Sequence, residues 1–170
     1  MSDEVELYEQ GLEEYPRSSI IVGNLLMILW IALGTIACWY LSSLVAWIYL
    51  AFAVVMVGII LRKLVCTSCY YYDKWCCLGW GKLSALLFKQ GEIGKFNESA
   101  GQKLAPLTYG LLSLVPLILI IIAMFHEFSL SKVIVLLLLV SVSFYSGTIN
   151  RKKTCAACKM RLMCKGSAVK

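Results

Sequence analysis

Seven of the eight cysteines stand where they could act together on one ion or one redox centre. Residues 62–69 read R-K-L-V-C-T-S-C and residues 151–158 read R-K-K-T-C-A-A-C, so R-K-x-x-C-x-x-C occurs twice. Each copy is followed by a further Cys-x-Gly, Cys77-Leu78-Gly79 and Cys164-Lys165-Gly166, and Cys76 precedes the first of these. A Cys-x-x-Cys turn lets both of its sulfurs reach one ion at about 2.3 Å, and two such turns supply the four thiolates of a closed tetrahedral site. Cys66, Cys69, Cys155 and Cys158 are therefore expected to ligate one ion jointly. The alternative is a separate site in each half, completed by Cys77 or by Cys164, with Cys76 as a surplus donor.

Zinc is the expected ion, because a closed four-thiolate tetrahedron is its usual structural site. The same soft ligands suit a mononuclear iron or an iron–sulfur cluster, and the surplus of thiols over four leaves room for a larger centre. Thiol–disulfide exchange and heavy-metal handling use the same residues. Arg62, Lys63, Lys74, Arg151, Lys152, Lys153 and Lys159 surround the cysteines in sequence; such cations favour thiolates and offset their charge. Nothing else in the chain offers comparable chemistry. The single histidine, His126, is paired only with Glu127 in a short turn, and no Ser-His-acid or Cys-His set can be assembled, so no enzyme class is indicated. Gly79, Gly81, Gly91 and Gly94 lack the G-x-x-x-x-G-K-[ST] order and the preceding strand of a phosphate loop.

What positions these cysteines is a membrane. The chain is 170 residues long, 60% hydrophobic and only 15% charged, whereas soluble chains carry about a quarter charged residues. Residues 20–41, 44–61, 107–125 and 133–149 contain no Asp, Glu, Lys or Arg, and each approaches the roughly 20 residues that cross a bilayer core. The fold class expected is all-α and integral to the membrane: a four-helix bundle of two tight hairpins, with a cysteine-rich cap. The first apolar run is too long for a signal-peptide core.

The chain thus divides into an acidic segment (1–19), a first hairpin (20–61), a cysteine-rich loop (62–106), a second hairpin (107–149) and a basic cysteine-rich tail (150–170). With four spans, both termini and the loop share a side. Loop and tail hold seven Lys or Arg each, Arg17 precedes the first span, and Lys132 alone lies on the far side. Basic residues near helix ends stay in the cytoplasm. The cap and both termini are therefore assigned to the cytoplasm, with the protein in the cell or plasma membrane. Each half runs helix, turn, helix, R-K-x-x-C-x-x-C, and such parallel units are related by an axis along the membrane normal.

Within the segments, Val5, Tyr8, Leu12 and Tyr15 recur at helical spacing, predicting a short amphipathic helix ended by Pro16. Residues 80–88 predict a helix lying in the interface, with Lys82 and Lys89 at its edges. Asn24 is the one strongly polar side chain in any span, and intramembrane charges, the usual mark of ion pathways, are absent from the sequence of all four. Pro116 is expected to kink the third span, and Cys38 to be a small buried hydrophobe. The net charge of +6 orients the chain and attracts anionic headgroups; nucleic acid is not an expected partner. The function expected is a membrane scaffold or complex subunit stapled by metal and docking a membrane or cytoplasmic protein, with redox or electron transfer at the same cysteines as the alternative.

Overall fold

Four apolar runs must bury their backbone polar groups within themselves, and they do so as helices. The structure, a computed structural model, describes residues 6–169. Four helices are long and apolar enough to cross a membrane: α1 (Arg17–Trp39), α2 (Ser43–Ser68), α4 (Ala100–His126) and α5 (Leu130–Ala156). A shorter helix, α3 (Trp80–Leu87), and a 3-10 turn (Ile93–Glu98) lie in the loop. Among the described residues there is no strand; the one extended pairing is an isolated parallel bridge between Leu12 and Cys158.

The first helix is the hub. It packs against α2, α4 and α5, burying Trp30, Leu33, Ala37 and Cys38. Cys38 lies wholly inside this core, as expected of a small apolar residue. Two polar bonds fix the register between helices. Tyr49 of α2 passes over Gly34, where any Cβ would strike its ring, and donates to the Leu112 carbonyl at 2.9 Å. The Trp30 indole donates to Ser143 Oγ at 3.0 Å. The fifth helix is peripheral: 6% of its most apolar window is buried, against 28% for each of the others.

Three features differ from the sequence expectation. The third span starts at Ala100 rather than after Pro106, and it continues through both Pro106 and Pro116. Its added first turns are drawn on by packing, since Gly101 lies against Leu64 and Val65 at the end of α2. Lys132, expected in the turn between the third and fourth spans, lies inside the fourth. It belongs to the first turn of α5, is buried, and donates to the carbonyls of Ala123 (2.9 Å) and Glu127 (2.7 Å). A cation at a helix C-terminus meets the negative end of the helix dipole, and Lys132 places its ammonium there for α4.

The acidic arm is not helical over residues 6–16; Val5 lies outside the described residues. Tyr8 and Leu12 donate backbone N–H groups to the carbonyls of Lys159 and Ala157, each at 2.9 Å, and Tyr15 donates to Trp75 at 2.8 Å. A helix this short is marginal in water, and Gly11 sits directly against the Lys159 backbone. Extended pairing with the tail satisfies the same groups at less cost.

In both hairpins the second helix changes pitch before its cysteines. Met56–Ile60 in α2 and Tyr145–Asn150 in α5 are π-helical, each followed by a short α segment, Leu61–Val65 and Arg151–Ala156.

Candidate thiolate site

The cysteines sit where α2 and α5 end. In the loop, Cys69 N–H donates to Cys66 O at 3.4 Å; in the tail, Cys158 N–H donates to Cys155 O at 3.2 Å. Both Cys-x-x-Cys pairs are thus wound into the same tight turn at a helix terminus. The Cys69 thiol is pushed up by burial, and the backbone N–H of Tyr71 opposes this by hydrogen bonding to it. Cys158 is likewise raised by burial and opposed by the N–H of Met160; Cys164 is raised by burial and opposed by the N–H of Gly166. In each case the donor is two residues ahead.

Cys76 is the extreme case. The Cys77 thiol donates to it, and against burial the N–H groups of Leu78, Gly81 and Trp80 also point at its sulfur, bringing it down to about 6. The Trp80 N–H lies 3.2 Å from Sγ. Cys77 is held upward by the same bond and by burial. Hydrogen bonds to the charged form of a thiol favour that form.

The turn that aims these N–H groups is built on two glycines. Gly79 has φ +70°, the left-handed region in which a side chain is strained. Gly81 runs against the carbonyls of Tyr71 and Lys74 so closely that a Cβ there would overlap them, and its own carbonyl accepts the Asp73 N–H at 3.2 Å. Asn24 then ties the turn to α1. Its amide donates to Leu78 O at 3.0 Å and its Oδ1 accepts the Trp80 indole N–H at 3.3 Å. The one polar residue of the first span is therefore the anchor of the Cys76–Trp80 turn. Above it, the Arg62 guanidinium lies 4.3 Å from the Trp80 ring centroid.

The arm closes the other side. The Tyr71 hydroxyl donates to Leu12 O at 2.7 Å and accepts the Lys159 N–H at 3.1 Å. Tyr15 donates to Thr154 O at 2.7 Å, and its ring stands 5.5 Å from that of Tyr71. Glu13 accepts from Lys159 at 2.7 Å and from the Tyr70 hydroxyl, and pairs with Lys74 at 3.5 Å. The Lys159 ammonium, the Tyr70 hydroxyl and Lys74 hold the Glu13 carboxyl down at about 2, against 4.5 unperturbed. A depressed carboxylate stabilises docking above its free pKa and loses that contribution as pH falls through the docked one. Amide protection at Tyr8 and Leu12 should therefore be constant above pH 4.5 and fall between 4.5 and about 2. E13Q should abolish that acid-dependent fall; protection unchanged down to pH 2 in the parent chain would exclude the latch.

Loop, tail and arm thus meet, and the Cys158 thiol stands at the junction, near Cys69 and Cys77. The four cysteines paired by sequence, Cys66, Cys69, Cys155 and Cys158, are not drawn to one point. Among the described residues no three His, Cys, Asp or Glu side chains converge closely enough to hold an ion. Sequence reasoning missed Tyr15, Tyr71 and Asn24 as organisers of the site. Asn24 had a signal, as the lone amide in an apolar span; Tyr15 read as one position of a short amphipathic helix and Tyr71 as an aromatic beside the membrane surface.

In the loop, α3 exposes Leu86 and Leu87 while Trp80 is buried, so its exposed apolar side is its leucine side. Comparison of the chain with protein-family models, with curated proteins and with solved structures finds no match.

Proposed function

We propose that this integral membrane protein presents its cysteine-rich face to the cytoplasm, binds thiophilic metal there, and uses the stiffened face as a docking platform within a larger complex. Zinc is the first choice of metal. The observation that carries the reading is the pattern of backbone N–H groups on sulfur. Cys69, Cys76, Cys158 and Cys164 each receive the N–H of the residue two ahead, which favours the thiolate that a metal requires and at Cys69, Cys158 and Cys164 works against the burial that holds the thiol up. The two R-K-x-x-C-x-x-C halves, each reached through a π segment, fit a pseudo-twofold cap. The charge asymmetry between the two membrane faces supports the cytoplasmic assignment.

The neighbouring Cys76 and Cys77, hydrogen-bonded to each other, favour a second reading, thiol or iron–sulfur redox chemistry. One preparation separates the two. Protein purified anaerobically in detergent should contain zinc and show no reversible absorbance change between dithionite and air. Iron with acid-labile sulfide, or a reversible change, would replace the scaffold by an electron carrier; absence of both metals would sink both metal readings. A reporter fused at Lys170 and a cysteine probe at Gly94 should both report cytoplasm, and an external signal would reverse the orientation.

A further inference from the structure

The two sequence repeats part company at the arginine that opens each. Arg151 is exposed and donates to Gly166 O at 2.7 Å. Arg62 is half-buried, and its Nε is buried without a hydrogen-bond partner. No carboxylate pairs with it among the described residues. The Cys66 and Cys76 thiols stand near it, but the bonds to the Cys76 sulfur come from Cys77 and from backbone N–H groups instead. The guanidinium lies 4.3 Å from the Trp80 ring centroid. Stacking of this kind covers the flat face of the fork and leaves its in-plane N–H groups for an anion.

The place of this cation decides which anion. Arg62 directly follows the charge-free run 44–61, and side chains on a helix lean toward its N-terminus, which for α2 is back toward the spans. Trp80 is held at that level too: its indole donates to Asn24 of α1, and its turn packs on α1 at Ile20 and Gly23. From that turn α3 runs with Trp80, Gly81 and Ser84 buried and Leu83, Leu86 and Leu87 exposed. A cation at the end of the apolar spans, with an apolar surface leaving the same turn, suits a ligand that has both an anionic head and an acyl tail. Basic pockets between spanning helices bind such headgroups.

We propose that Arg62, stacked on Trp80, binds the phosphate of one anionic phospholipid from the leaflet on the cysteine side of the membrane, and that Arg151 does not. The in-plane N–H groups take the phosphate oxygens as a fork, and Trp80, tied to Asn24, sets the angle of that fork. A cation drawn out of water is costly without an opposite charge, and the lipid phosphate supplies it. Lysine is a point charge without the planar fork, so it holds the same lipid less well. The site goes beyond the metal reading above and does not depend on it.

The test uses the full chain in detergent, stripped of lipid and then given phosphatidylglycerol or phosphatidylcholine, with bound lipid counted by native mass spectrometry. The parent should retain one phosphatidylglycerol in preference to phosphatidylcholine. R62Q should weaken that binding about 10-fold or more, as expected when a hydrogen bond to a charged group is lost, and R62K should weaken it by less. R151Q removes the same charge from an exposed arginine and should bind as the parent does. Should R62Q fail to fold, R62K still reads the fork: a folded R62K that binds as tightly as the parent would overturn it. Equal losses in R62Q and R151Q would mean diffuse charge attraction, and undiminished binding in R62Q would place the lipid elsewhere; either overturns the site. Inorganic phosphate retained in place of lipid would overturn the lipid assignment. Zinc content is measured separately, so none of these results bears on the metal reading.

Discussion

Stripping the metal should release the cap and leave the four helices in the membrane. Structural zinc contributes on the order of 10 kcal/mol where a fold forms only with its ion. The spans do not depend on it, because their mutual bonds lie elsewhere: Tyr49 to Leu112, Trp30 to Ser143, and Lys132 across the end of α4. The cap is otherwise held by the arm's hydrogen bonds to loop and tail. Its knuckles are single turns, its ion pairs are largely exposed, and exposed pairs are worth about 1 kcal/mol or less each. After chelation the helical circular-dichroism signal should stay nearly constant, while residues 66–79 and 155–169 become open to protease and their amides exchange. Collapse of the helical signal with the cap would show the bundle itself to be metal-dependent; a cap still protected when metal-free would end the structural role.

The second large effect is expected from one added side chain. G81V places carbon where the carbonyls of Tyr71 and Lys74 already stand, so the start of α3 must move. Backbone is not a flexible side-chain tip, and overpacking of this kind costs about 3 kcal/mol or more. The shift would carry Trp80 away from Asn24 and Arg62 and take the N–H groups of Trp80 and Gly81 off Cys76. Trp80 fluorescence should move to the red, and metal should bind the loop more weakly. G94A is the control, since nothing lies within 4 Å of the Cβ it adds; it should leave both readouts unchanged. A folded G81V chain with parental fluorescence and metal affinity would show that the turn does not organise the site.

The membrane-spanning helices were legible because their signal is cumulative: long runs without charge admit one structure in lipid. The ends were less so. Pro106 reads as a boundary, yet packing of Gly101 on Leu64 and Val65 extends the helix past it. The arm reads as amphipathic helix from Tyr8, Leu12 and Tyr15, but its backbone found partners in the tail, and such long-range pairing leaves no local trace. The cysteine motifs were plain, as was the turn each makes. What could not be read was how Asn24, Gly81 and Tyr71 tie those turns to the span, to α3 and to the arm, because each acts on residues distant in the chain.

The π segments Met56–Ile60 and Tyr145–Asn150 give the two halves an angular offset. A π turn closes i→i+5 rings, taking one residue more than an α turn, and one residue is about 100° of helical phase. Everything beyond the segment, Arg62 with Cys66 and Arg151 with Cys155, is thereby rotated relative to the lipid-facing and core-facing stripes below it. The seam that packs the bundle and the seam that carries the thiols are consequently set by different stretches of sequence. Each can change without turning the other, and both halves carry such an offset just before the knuckle.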